Sequence, residues 1–235
     1  MIWGVMRRIN RKVNPHRELR AGYIFHMDMI TWSHRSEEGN KYSIVLRCPA
    51  CHVFEVLNIY LKSDATMMIE QWVKQLRNNP IFSDMAYPLV CVLRTDNDGA
   101  WSKENAEWGD MIDRMNISMY YVSPDRHADE NGFAERACGI LEVVVKSLLV
   151  QRALPPSWWQ RCSVAAKFLL NRFPVTNDDV AFPLDGDAVR PLEVFTRFYY
   201  SRRQIDRELS YYIGPGELCM VHDTSIAVST LQPKV

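Results

Sequence analysis

Hydrophobic and polar positions along the chain first follow the pattern of β-strands. Residues 22–32, 41–48 and 52–61 are rich in aromatic and β-branched side chains, which predicts three strands. The second and third strands are joined by a short turn around Pro49, so we expect them to be antiparallel neighbours. Residues 87–95 form an almost continuous apolar run, which is typical of a central strand covered on both faces.

Helical periodicity begins after the third strand. Ser63 or Asp64 is expected to cap a helix that ends at Asn78-Asn79-Pro80, because a short side-chain oxygen can accept from free first-turn amides. Its apolar positions recur at three and four residues: Met68, Ile69, Trp72, Val73 and Leu76.

The same patterns predict a further strand and three further helices. Residues 104–115, 130–153 and 157–173 are helical in pattern, with proline after each of the last two, and residues 117–122 form a strand. The order β-β-β-α-β-α-β-α-α predicts an α/β fold, with a mixed sheet and helices on its faces.

The ends of the chain are less regular. Residues 1–20 are predicted to be a basic arm, residues 21–175 the α/β core, and residues 176–235 a C-terminal extension. This extension should begin with a loop and contain a short helix within residues 191–209. It should close with a pair of strands around Gly214-Pro215-Gly216.

Charge is balanced overall, with 28 basic and 28 acidic residues, but it is unevenly distributed. Residues 1–22 carry six basic residues against one acid, and residues 96–130 carry nine acids against three basic residues. A basic arm beside an acidic stretch favours a protein that meets a polyanion and also binds cations.

Two classes of protein are disfavoured by the sequence. No run of 18 apolar residues is present, which argues against a membrane partner, and Arg7 and Arg8 interrupt any signal-peptide core. We therefore expect an intracellular protein whose six cysteines are reduced. Cys48 and Cys51 have metal-like spacing, but no second pair follows, so cysteines in a turn are favoured over a zinc site.

Three carboxylates are candidates for a common site. Asp28 lies inside the first predicted strand, where an unpaired charge would be costly, and Asp96 ends the apolar run. Glu135 lies near the start of the long helix. Each also has a structural interpretation: Asp28 could face water on an edge strand, Asp96 could belong to an Asx turn, and Glu135 could favour the helix dipole.

Four segments in the same order resemble the integrase core of copia-type retrotransposons. The family patterns are His-x-Asp, Ser-Asp-Asn-Gly-Gly-Glu-Phe, Asn-Gly-x-Ala-Glu-Arg, and Leu-Pro-x-x-x-Trp followed by Ala-x-x-x-x-Asn-Arg-x-Pro. Here they correspond to HMD, TDNDGAW, NGFAER and LPPSWWQRCSVAAKFLLNRFP. The resemblance covers about residues 20–175, and 38 residues separate Asp96 from Glu135, close to the D,D-35-E spacing of the wider group.

This resemblance implies an RNase H-like five-stranded sheet and a DDE polynucleotidyl transferase. By motif match, Asp28, Asp96 and Glu135 would bind two Mg²⁺ or Mn²⁺ ions. Water would first trim the 3′ end of a cDNA, and the freed 3′-OH would then attack target DNA. Residues Arg136, Lys146, Arg11 and Lys12 would contact DNA. A homo-oligomer acting in the nucleus after a cytoplasmic particle stage is also implied.

The chain departs from the family pattern at several positions. CPACH replaces Asp-Asp-x-Ser-Arg, DGAW lacks a glutamate, and ACGILE follows Glu135-Arg136 where polar and basic residues are usual. The zinc-binding His-His-Cys-Cys module that precedes the core in this family has no counterpart here. Two alternatives therefore remain open: an inactive retrotransposon remnant with weak nucleic-acid binding, and a nuclease that cuts without joining.

Overall fold

The computed structural model describes residues 20–96, 99–102, 104–122, 132–175, 190–196, 202–210, 212 and 215. The described strands are β1 Ile24–Thr31, β2 Tyr42–Arg47, β3 Phe54–Ile59, β4 Val92–Thr95 and β5 Ser118–Tyr121. They form one five-stranded sheet in the order β3-β2-β1-β4-β5. Strands β1, β2 and β3 pair antiparallel, and β1, β4 and β5 pair parallel. The mixed sheet is confirmed.

Helices cover both faces of this sheet. One core joins Phe25 and Leu93 to the helices of residues 65–77 and 106–114, and the other joins Ile30 and Trp32 to the helices of residues 132–151 and 159–172. Alternate residues of β1 serve the two cores because successive strand side chains point to opposite faces. None of these helices, within the described part of the chain, combines the length and apolarity needed to cross a membrane. The helices are α1 Ala65–Arg77, α2 Ala106–Arg114, α3 Gly132–Gln151, α4 Trp159–Arg172, α5 Pro191–Phe195 and α6 Arg202–Ser210.

The start of α1 differs from the predicted cap. Neither side chain caps the helix itself: the Asp64 carboxylate accepts from the Leu61 amide at 2.9 Å, one turn earlier. This bond closes the 3₁₀ turn Lys62–Asp64, from which α1 continues. The predicted end is confirmed, since Asn78 is the C-cap residue.

The prediction of a strand across residues 87–95 is wrong in its length. Val90 has a φ of +54°, a left-handed conformation that interrupts extended backbone, and β4 begins only at Val92. The Val90 amide donates to the Gly22 carbonyl at 2.8 Å, and the Arg77 guanidinium donates to the carbonyls of Leu89 and Val90. These long-range bonds stabilise an irregular segment that is apolar enough to look like a strand.

The C-terminal extension contains two described helices where the pattern predicted one. In α5, Phe195 packs against Phe82 with ring centroids 5.0 Å apart. In α6, Glu208 accepts from the buried Arg172 guanidinium of α4 at 2.7 Å. Both helices therefore contact the α/β core. The predicted closing strands fall almost entirely outside the described residues.

The Asn-Arg pair at the end of α4 has a structural role. The buried Asn171 amide accepts from the Phe54 N–H at 2.7 Å and donates to the Phe54 carbonyl at 2.9 Å. Phe54 begins β3, which is an edge strand whose outer backbone groups would otherwise lack partners. Asn171 thus anchors α4 to the sheet edge.

Candidate metal and nucleic-acid site

Asp28, Asp96 and Glu135 lie on three neighbouring elements. Asp28 is inside β1, Asp96 directly follows β4, and Glu135 is in the first turn of α3. Strands β1 and β4 are adjacent and parallel, with His26 opposite Arg94. Continuing this register by two residues places Asp96, just past the end of β4, beside Asp28 of β1.

The surroundings of Asp28 make its charge unfavourable. Burial raises the pKa of this carboxyl above its usual value, and the negative charges of Asp96 and Glu135 raise it further. The Met29 amide, which donates to Oδ1 at 2.7 Å, and the Cys138 thiol act in the opposite direction on this pKa. The Asp28 carboxyl is thus close enough to Asp96 and to Glu135 to interact electrostatically with each.

Asp96 is oriented by side chains of its own segment. Its Oδ1 accepts from the indole Nε1 of Trp101 at 3.1 Å and from the Thr95 hydroxyl at 3.3 Å. Trp101 is completely buried, so this contact links the carboxylate to the core. Asn97 and Asp98, the remaining polar residues of the predicted Asx turn, lie outside the described residues.

The carboxylates fit a divalent cation in charge and in ligand atom. Mg²⁺ and Mn²⁺ prefer oxygen ligands, and a cation would offset both the burial of the Asp28 charge and its repulsion by Asp96 and Glu135. Their side chains do not close around a common point, however: across the described ranges, no three His, Cys, Asp or Glu side chains form a group that could hold a metal ion. The structure places the three residues on neighbouring elements, and their side chains do not form a closed metal-binding group.

The proposed DNA contacts on α3 already have intramolecular partners. The exposed Arg136 donates through Nε to the Gly132 carbonyl at 2.7 Å, and Lys146 pairs with Glu142 at 2.5 Å. The same exposed face carries Val143 and Val150, which are 65% and 81% exposed. Exposed apolar side chains therefore occupy part of this helix face, which is less favourable for phosphate binding than a uniformly basic surface. Arg11 and Lys12 lie outside the described residues.

Cys48 and Cys51 occupy a turn, as the sequence favoured. Both are completely buried, and the Cys48 Sγ accepts from the Gly22 amide at 3.2 Å. Burial opposes ionisation of Cys48, but hydrogen bonds from Cys51 and Gly22 lower its pKa overall. Burial and the neighbouring Cys48 raise the pKa of Cys51. The turn is thus held by a buried pair of thiol groups that share hydrogen bonds.

A polar row beside the carboxylates was missed by sequence reasoning. The strand registers align one residue from each strand: Phe54, Arg47, His26, Arg94 and Tyr120. The Arg47 guanidinium lies 4.8 Å from the Phe54 ring centroid, and that of Arg94 lies 4.7 Å from the Tyr120 centroid. The His-x-Asp spacing was an available signal, because it places His26 on the face of Asp28.

His26 is expected to make stability fall in mild acid. Burial, and secondarily the charge of Arg94, lower its pKa from 6.5 to about 4. The unfolded chain therefore binds a proton between these pH values while the folded chain does not, so stability is complete above pH 6.5 and is lost as pH falls towards 4. The full loss is at most about 3 kcal/mol.

Urea unfolding of the parent and the His26→Asn variant at several pH values between 4 and 8 measures this contribution. The difference in unfolding free energy between the two proteins should be constant above pH 7 and should shrink below it. Parallel curves down to pH 4 would contradict the burial of a neutral imidazole.

Comparison with known proteins bears on the fold. No protein-family model and no curated protein matches the sequence. A chain of the simian T-cell lymphotropic virus intasome, in complex with PP2A regulatory subunit B56 gamma, is similar with a TM-score of 0.56 and 15% identity. The match covers 76% of this chain and 56% of that chain, so the present sequence spans little more than half its length.

Two isolated catalytic cores are also similar. The HTLV-2 integrase core in complex with magnesium, in its trimeric form, matches with a TM-score of 0.50 and 17% identity over 70% of this chain and 95% of that one. The BIV integrase core matches with a TM-score of 0.50 and 14% identity over 78% and 99%. The described residues therefore have the RNase H-like fold of retroviral integrase catalytic cores.

Proposed function

We propose that the chain is the catalytic core of a DDE polynucleotidyl transferase, a retrotransposon integrase of copia type. The observation that carries the proposal is the geometry of the sheet: the register of parallel strands β1 and β4 places Asp28 beside Asp96, and Glu135 lies in the first turn of α3. Carboxylates held near one another repel, and a bound divalent cation would relieve that repulsion without protonating them. The four sequence motifs support the copia type.

In this proposal, Asp28, Asp96 and Glu135 hold Mg²⁺ or Mn²⁺, which supplies activation of the attacking oxygen and stabilisation of the leaving oxygen. The chain itself orients two of these carboxylates. The Met29 amide fixes Oδ1 of Asp28, and the buried Trp101 indole fixes Oδ1 of Asp96. Glu135 is exposed at the helix start, where it would hold a cation on the solvent side of the site.

A strand-transfer reaction tests the proposal directly. The full chain would be incubated with Mg²⁺ or Mn²⁺, an end-labelled DNA duplex and a circular target. Joined products are the expected result. Shortened strands without joined products would instead identify a nuclease, and no product with either ion would contradict the proposed activity.

An inactive remnant is the second candidate function. Two observations favour it: the described residues form no closed metal-binding group, and the exposed face of α3 is apolar at Val143 and Val150. Such a protein would retain only DNA binding through basic segments. That binding should weaken steeply with salt, because phosphate contacts release counterions. Affinity that is insensitive to salt would count against it.

The same proposal includes partners and location. As an integrase, the chain would act on cDNA ends and target DNA. It would work as a homo-oligomer in the nucleus, after a stage in a cytoplasmic particle. The magnesium complex of the HTLV-2 integrase core has a trimeric form. Sedimentation of this chain with and without DNA would measure its own assembly state.

A further inference from the structure

Phe133 connects the helix of Glu135 to the sheet. It lies in the first turn of α3, two residues before Glu135. Its ring contacts residues from β1 and from the turn between β2 and β3: the centroid is 5.0 Å from that of His26 and 5.8 Å from that of His52. Both contacts are edge-to-face, the geometry that aromatic rings favour.

Arg47 completes the surroundings of this ring. Its guanidinium carbon lies 4.8 Å from the Phe133 centroid, within the range of a cation–π interaction. An Arg47 Nη2 lies 2.6 Å from Nδ1 of His52. Because a guanidinium can only donate, Nδ1 of His52 accepts this bond and its ring proton is on Nε2. The positions of Arg47 and His52 are thus fixed relative to each other.

The turn that carries His52 is itself well defined. The His52 amide donates to the Cys48 carbonyl at 2.9 Å, and the Cys48 amide donates to the Val53 carbonyl at 3.1 Å. His52 has a φ of +62°, a left-handed conformation that the turn imposes. With Cys48 also bonded to Gly22 next to β1, the segment CPACH is an anchored part of the sheet.

We propose that Phe133, packed among His26, Arg47 and His52, is a positioning residue that sets the approach of Glu135 to Asp28. This rests on the proposed function only for the role of the carboxylates. This proposal also explains the turn Cys48–His52, which departs from the sequence pattern of copia-type integrases. The turn contributes His52 to the contacts around the Phe133 ring.

A double-mutant cycle measures this positioning without metal or DNA. The free energy of urea unfolding is measured at pH 7 and low salt for Asp28→Asn, for Glu135→Gln and for the double variant. The difference between the effect of the double variant and the sum of the single effects is the coupling, which reports the repulsion between the two carboxylates. The coupling is expected in the parent, is expected to be lost in Phe133→Leu, and is expected to return in Phe133→Tyr.

Phe168→Leu is the matched control. Phe168 is also partly buried and also stacks with an arginine, Arg172, whose guanidinium carbon lies 3.7 Å from its centroid. This variant should keep the coupling of the parent. If Phe133→Leu does not fold, His52→Asn replaces it, because asparagine tolerates the left-handed conformation while removing the ring.

Mn²⁺ affinity, measured by electron paramagnetic resonance, gives the second readout. Phe133→Leu is expected to weaken it about tenfold, which corresponds to about 1.4 kcal/mol, and Phe168→Leu to leave it unchanged. Carboxylate coupling that is absent in the parent, or equal in the parent and Phe133→Leu, would overturn the inference. A parent that shows the coupling but binds no Mn²⁺ would overturn the proposed function and leave the positioning role standing.

Discussion

Replacing Glu135 with glutamine is expected to lower metal-dependent DNA joining by at least about 1,000-fold, or about 4 kcal/mol in the activation barrier. Glutamine keeps the size of the side chain but removes the negative charge that a divalent cation requires. Asp28→Asn and Asp96→Asn should have comparable effects, because the proposed site uses all three carboxylates. The rate of joined-product formation under saturating Mg²⁺ measures the loss.

Glu142→Gln provides the control for this prediction. Glu142 lies on the same helix, two turns beyond Glu135, and pairs with Lys146 at the surface. Its replacement should leave the joining rate within about twofold, because Glu142 is not a proposed metal ligand. The fold should also be unaffected, since exposed ion pairs contribute little to stability. If Glu135→Gln joins DNA as fast as Glu142→Gln, Glu135 has no part in the chemistry.

The second large effect concerns stability. Trp159→Ala is expected to reduce the free energy of unfolding by about 3–5 kcal/mol, because it removes a large side chain from the core between the sheet and the helix pair α3–α4. Trp159 is 1% exposed and stacks on Trp32 with centroids 4.8 Å apart. Its indole Nε1 also donates to the His34 carbonyl at 2.9 Å.

The neighbouring Trp158 makes this prediction specific. It is only partly buried, and it contacts Arg161, whose guanidinium carbon lies 5.1 Å from the ring centroid. Trp158→Ala should therefore cost about 1 kcal/mol or less. Urea denaturation of both variants compares the two positions. Equal losses would show that the stacked pair is not the main support of α4.

Much of the fold follows from local patterns in the sequence. The three-and-four spacing of α1 predicts the face that this helix buries, and the β-branched runs of β2 and β3 identify them as strands. The predicted strand across residues 87–95 was too long, because an apolar run does not reveal a backbone turn such as that at Val90. That turn is stabilised by Gly22 and by Arg77, which are distant in sequence.

The candidate site divides in the same way. The sequence alone singles out Asp28, Asp96 and Glu135. Asp28 is an aspartate inside an apolar strand, where an unpaired charge would be unfavourable, Asp96 ends an apolar run, and Glu135 opens a helix. Their roles in metal binding remain predictions. The resemblance implies that Arg136 and Lys146 contact DNA, and only the structure shows that both have partners within α3.

The sequence by itself determined the element order, the mixed sheet and the three carboxylates that its motifs single out. Periodicity and each single motif are patterns within short stretches of the chain, so they can be recognised without the tertiary structure. Only the tertiary structure decided how Phe133 meets His26, Arg47 and His52, and how Asn171 pairs with the edge of β3. Those contacts join residues far apart in the chain. They depend on strand register and helix docking, which a single sequence encodes collectively and no local pattern shows.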